Sequence, residues 1–132
     1  MNPQTRHVSE WIDRPAAEVY EWVRGPSHLT EWAPGLGSSV EQVDGQWFVE
    51  TGMGRVRVAF AEHNDYGVLD HDVTTSSGET FSNPMRVVAD GRDCEVVFTV
   101  RRLPGVTDED FDRDVGLVSA DPGRLKRLLE RG

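Results

Sequence analysis

Between Ser38 and Arg101 the chain reverses direction five times, and each link between strand-length segments is only two to five residues long. Parallel neighbours need crossovers of about a dozen residues or more, so links this short restrict the segments to an antiparallel meander. Asp44-Gly45 joins Val40–Val43 to Gln46–Glu50 and favours a two-residue type I′ hairpin. Gly52-Met53-Gly54 leads into Arg55–Glu62, and His63-Asn64-Asp65-Tyr66-Gly67 leads into Val68–Thr75. Ser76-Ser77-Gly78 leads into Glu79–Ala89, read as one strand, and Asp90-Gly91 leads into Asp93–Arg101.

The flanks have different periods. Thr5–Ile12 alternates, with Val8, Glu10 and Ile12 on one side, and reads as a strand. Pro15 suits a first helical position, and Ala16, Val19, Tyr20 and Val23 recur at helical spacing. Gly25-Pro26 ends that helix. Ser27 is placed to cap a second turn through Trp32, which Ala33-Pro34-Gly35 closes. After Pro104-Gly105, Thr107 can cap a long helix whose first turn is acidic and whose last turns carry Arg124, Lys126, Arg127 and Arg131. Phe111, Val115, Val118, Leu125 and Leu129 form its core-facing stripe. Pro122 predicts either a kink or a fresh helix start capped by Asp121. No repeat or linker divides the chain, so residues 1–132 are expected to form a single α+β domain.

Composition narrows the classes of partner. With 23 acidic and 14 basic residues the net charge is −9, which disfavours phosphate backbones and anionic membrane surfaces. No apolar run approaches the length of a bilayer, so no membrane insertion is expected. Met1 to His7 lacks the apolar stretch of a secretory signal. Cys94 is the single cysteine, which excludes an internal disulfide and a cysteine-rich metal site. A reducing cytoplasmic location follows as an expectation, with no metal and no cofactor.

Three stretches carry a family likeness: Arg14-Pro15-Ala16-Ala17-Glu18-Val19-Tyr20, then Glu31-Trp32-Ala33-Pro34-Gly35, then Asn83-Pro84-Met85-Arg86-Val87-Val88 with Glu95-Val96-Val97-Phe98-Thr99. With the order of elements they resemble bacterial members of the START-like (SRPBCC) superfamily, which includes polyketide cyclases and dehydrases. The resemblance implies a helix-grip fold, a curved antiparallel sheet wrapped around the C-terminal helix with two short helices after the first strand. It also implies an internal cavity for a small molecule. Members use that cavity for lipids, hormones, polyketides or partner proteins, so the fold does not by itself assign a task.

Strand alternation sorts the faces. Val56, Val58 and Phe60 point inward together, as do Leu69, His71 and Val73, then Phe81, Asn83, Met85 and Val87, then Cys94, Val96, Phe98 and Val100, and also Trp47 with Val49. His71 and Asn83 are the polar exceptions on these apolar faces. Leaving such a group unpaired costs about 1–3 kcal/mol, so each must bond within the protein or meet a ligand. His71 is either the leading site residue or a neutral core histidine bonded to a backbone carbonyl or to Asn83. Asp70 and Asp72 fall on the opposite face, which argues against a catalytic or metal-binding Asp-His-Asp group. Trp32 is either a lid over the cavity mouth, as the resemblance implies, or simple packing. Trp47, Phe60, Met85 and Phe98 carry the same pair of readings. Arg86 is expected in a surface ion pair, and Cys94 as a small core residue rather than a nucleophile.

These residues support binding of a small, largely apolar or aromatic molecule in the cavity, with His71, Trp32, Trp47, Phe60, Asn83, Met85 and Phe98 as candidate ligand contacts. The alternatives are a cyclase- or dehydrase-type enzyme in which His71, with Tyr66, moves protons, and a protein-interaction module of co-chaperone type.

Overall fold

The computed structural model describes residues 5–33, 39–51 and 54–131 of the 132. Pro34-Gly35 and Gly52-Met53, the expected end of the second short helix and the expected link before the Arg55 strand, lie outside the described residues. Strand β1 (Thr5–Ile12) is followed by α1 (Ala16–Val23), a 3-10 turn (Pro26–His28) and α2 (Leu29–Trp32). Then come β2 (Ser39–Val43), β3 (Gln46–Thr51), β4 (Gly54–Phe60), β5 (His71–Thr74), β6 (Thr80–Asn83), β7 (Met85–Asp90), β8 (Asp93–Arg101) and α3 (Asp108–Arg131). Every ladder between these strands is antiparallel. Asp44 and Gly45 both have positive φ, 52° and 79°, as a type I′ turn demands.

The single meander is corrected to two sheets, ordered β2-β3-β4-β5-β6 and β1-β8-β7. The segment read as one strand from Glu79 to Ala89 breaks at Pro84, which has no N–H for a ladder. The β5–β6 ladder ends with His71 opposite Asn83, and the β7–β8 ladder begins with Met85 opposite Phe98. Asp70 repairs the break, accepting a 2.9 Å hydrogen bond from the Met85 N–H and pairing with Arg86. The sheets stay joined because the backbone just before β5 pairs with β7: Leu69 N–H donates to the Met85 carbonyl and Val87 N–H to the Gly67 carbonyl, each at 2.9 Å.

One helix expectation changes, and of the two alternatives at Pro122 the fresh start falls. Ser27 lies inside the 3-10 turn and makes no cap hydrogen bond. Helix α3 runs through Pro122 without a fresh start, so Asp121 is an interior residue and not a cap. The Pro122 ring is fully buried, and Arg124 ties that turn to α2 by donating to the Trp32 carbonyl at 3.1 Å. Thr107 does cap the helix, its Oγ1 accepting from the Asp110 N–H at 3.1 Å. The core gathers Ile12, Val19, Val23, Leu29, Trp32, Val49, Val58, Leu69, Met85, Val96 and Leu125. Phe111 is buried apart from it, beneath the guanidinium groups of Arg6 and Arg102 at 5.4 and 6.0 Å.

Gly67 fixes the approach of the loop to β7. Its φ is +70°, and a Cβ there would lie 2.2 Å from the Val87 carbonyl oxygen. Gly45 shares the positive φ but has open space around it. Gly67→Ala is therefore expected to lower stability by at least about 2 kcal/mol, against about 1 for Gly45→Ala, measured as urea midpoints. Equal losses at the two positions would mean that the close approach has no energetic weight.

Candidate functional site

Helix α3 packs along β1 and, more lightly, β8, and α2 packs against α3. Between these helices and the inner face of β5, β6 and β8 lies a cavity of about 610 Å³. Its apolar wall is Val73, Phe81, Phe98 and Val100 from the strands, Leu29 and Trp32 from α2, and Leu117 and Val118 from α3. The rim reaches Arg101, Leu103 and Leu117, all exposed, so one end meets solvent. The volume falls within the range of about 300–1,000 Å³ usual for small-molecule sites.

Four of the seven expected contacts line this cavity: Trp32, His71, Asn83 and Phe98. Three do not. Trp47 and Phe60 line a separate groove with Arg24, Pro26 and Arg57, because the 3-10 turn and α2 pack over the β2 side of the sheet. Met85 has no exposed surface and belongs to the core beside Val87 and Val96. Phe60 still touches the site indirectly, since its ring centroid lies 4.8 Å from that of His71.

His71 is 5% exposed, the one buried polar or charged residue among those described. Its ring is bracketed by Phe60 and, edge-on at 5.8 Å, by Phe98. Nδ1 lies 3.0 Å from the Leu69 carbonyl oxygen, so in the neutral ring Nδ1 carries the proton and donates. Burial holds the ring's pKa below the ordinary histidine value, outweighing the Leu69 hydrogen bond and the negative charges of Asp70 and Asp72. The sequence left open whether His71 bonds a backbone carbonyl or faces the cavity; it does both. Asp70 and Asp72 lie on the other face, where Asp72 accepts from Ser82 Oγ at 2.8 Å.

Trp32 is 1% exposed and its indole N–H has no hydrogen-bond partner. Asn83 donates only a long 3.5 Å bond to the Phe81 carbonyl. Leu29, Leu103 and Leu117 line the cavity without having been singled out, and Asp121 is a wall residue that the sequence reading considered only as a cap. Its position three residues after Val118, on the inner stripe of α3, was the available signal. Burial raises its carboxyl pKa, and the Arg124 guanidinium at 2.8 Å opposes that rise.

Other candidates lie elsewhere. Tyr66 is 84% exposed, in an outer groove with Tyr20 and His63, and cannot assist His71. Cys94 is fully buried, and burial together with the charge of Asp93 pushes its thiol up to about 11, which leaves it un-ionised at neutral pH. His28 stacks on Trp22, and His63 pairs with Glu21 at 2.8 Å.

No family model matches the chain, and no curated protein matches it in sequence. Solved structures do. The protein XoxI from Bacillus cereus superposes with a TM-score of 0.72 at 14% identity, covering 96% of this chain and 95% of that one. Norcoclaurine synthase from Thalictrum flavum, in complex with dopamine and hydroxybenzaldehyde, gives 0.62 at 15% identity over 96% and 86%. The di-domain ARO/CYC protein BexL of the BE-7585A biosynthetic pathway gives 0.70 at 16%, covering 97% of this chain and 47% of BexL. Likeness at such low identity shows the fold alone, the helix-grip α+β fold of these neighbours.

The buried histidine makes stability depend on pH with a definite sign. Because the folded state lowers the His71 pKa, the unfolded chain takes up that proton first, and stability falls as pH drops below about 6.5. Above that value the contribution is flat. His71→Phe is expected to flatten the slope of unfolding free energy between about pH 6.5 and 5, followed by urea titration at each pH. Identical slopes in both proteins would mean that His71 titrates as it does in the unfolded chain.

Proposed function

We propose that the chain binds a small, largely apolar or aromatic molecule in the cavity between β5, β6, β8, α2 and α3. The observation that carries the reading is the cavity itself: about 610 Å³ of space, walled mainly by apolar side chains, with one end at the surface. Norcoclaurine synthase, which shares the fold, was solved with two aromatic molecules. The lone buried thiol and the bacterial wording of the sequence motifs favour a bacterial, cytoplasmic, single-domain binder. Among the described residues no helix is long and apolar enough to cross a membrane.

A second reading, an enzyme of the cyclase or dehydrase kind, is favoured by one observation. His71 Nε2 makes no hydrogen bond among the described residues, and Asp121, with its raised pKa, lines the same cavity. An imidazole with an open nitrogen and a carboxyl group lining one cavity are the kinds of group that proton transfer to and from a ligand uses. Recovery of the ligand unchanged after long incubation supports the binder; conversion that is lost in His71→Phe supports the enzyme.

A panel of two- to four-ring aromatic compounds is expected to quench indole emission and raise the melting temperature. A ligand at a hundred times its Kd adds about 2.7 kcal/mol, enough for a shift of several degrees. Val118→Trp, which fills the cavity from α3, is expected to abolish the shift while keeping the far-ultraviolet circular dichroism. If the panel leaves emission and melting temperature unchanged, the cavity reading fails and the protein-interaction module takes its place.

A further inference from the structure

We propose that the cavity selects, among apolar ring compounds, those carrying an uncharged hydroxyl group, which donates its proton to the free Nε2 of His71. This deepens the binding function set out above and rests on it.

The acceptor is defined by geometry. A carbonyl oxygen only accepts, so the 3.0 Å contact with Leu69 requires the proton on Nδ1, and a neutral imidazole has no second N–H. Nε2 therefore presents a lone pair. The Phe60 and Phe98 rings, at 4.8 and 5.8 Å, hold the imidazole in place, and turning it over would forfeit the Leu69 bond. No donor among the described residues reaches Nε2. Asn83, its partner across the ladder, directs its amide N–H to Phe81, and the Ser82 hydroxyl donates to Asp72. An acceptor in an apolar wall, on a residue 5% exposed, is matched only by water or by a ligand that donates.

The remaining groups set the charge of that ligand. The carboxylate on the wall, Asp121, is compensated by Arg124 at 2.8 Å, and Arg101, the other charged lining residue, stands exposed at the rim, so the buried part of the cavity around His71 offers no unpaired charge for an ion. A ketone or ether would set its own lone pair against that of Nε2. A phenol or alcohol fits, and displacing water from Nε2 without replacing its hydrogen bond is expected to lower affinity by about tenfold to a hundredfold.

The test uses three ligands of one skeleton at neutral pH: naphthalene, 2-methoxynaphthalene and 2-naphthol. Their affinities are measured by titration of intrinsic fluorescence and corrected for octanol partition. The intact protein is expected to prefer 2-naphthol over the methoxy compound by about tenfold or more, and His71→Phe to bring the two within about threefold. His71→Gln, which keeps an acceptor, is expected to retain part of the preference. Equal affinities for the two compounds in the intact protein, or a full preference surviving in His71→Phe, would overturn the inference while leaving the binding function standing. Should His71→Phe not fold, the ligand series on the intact protein and on His71→Gln decides. If none of the three compounds binds the intact protein, the cavity reading falls and takes this inference with it.

Discussion

Because Pro84 has no N–H to give, the chain cannot keep one ladder through it, and the rest of the architecture follows from where that break falls. Upstream, β6 pairs with β5; downstream, β7 pairs with β8. The break puts His71 and Phe98 on either side of one corner, their rings 5.8 Å apart. Asp70 holds the corner by taking up the Met85 N–H and the Arg86 guanidinium. A carboxylate beside a candidate histidine thus has structural work on the far side of the strand. Beside the corner, Gly67 lies so close to the Val87 carbonyl that no side chain fits between them.

Helix α3 closes the space without filling it. Its C-terminal half is anchored to the start of the chain: Lys126 donates to the Trp11 carbonyl at 2.8 Å, and Glu130 accepts from the Asp13 N–H at 2.7 Å. Leu125 inserts into the core there. The N-terminal half is held differently, with Phe111 under two guanidinium groups and Arg6 paired to Asp112 at 2.8 Å. Between these attachments, Leu117 and Val118 face space where a packed helix would have met side chains. Apolar surface left in that way is stabilised by whatever apolar surface enters.

Much of the fold was legible because turn chemistry is local. Asp44-Gly45 dictated its hairpin, short links dictated antiparallel pairing, and alternation sent His71 inward and its acidic neighbours outward. The division into two sheets was harder to read. Phe81, Asn83, Met85 and Val87 keep a perfect two-residue period across Pro84, so periodicity continued where pairing stopped. The proline was the better witness. At the site, alternation identified the inner face but not which part of it the short helices cover, and so Trp47 and Met85 were grouped with residues that line the cavity. The protonated nitrogen of His71 was beyond sequence, since it depends on the Leu69 carbonyl, just before β5, lying within reach of the ring.

The pairing of β1 with β8 has a consequence for how the molecule is made. Thr5 lies opposite Arg101 and Ile12 opposite Cys94, so the first strand has its partner near the other end of the chain. Contacts this distant in sequence close a long loop, and loop closure is what slows the folding of β-rich domains. On the ribosome, β1 emerges first and has no partner until β8 has been synthesised. The hairpins from β2 to β6 form from neighbours in sequence and can assemble meanwhile. Helix α3, which lies along β1, is synthesised after both β1 and β8, and the cavity comes into being only once α3 is in place.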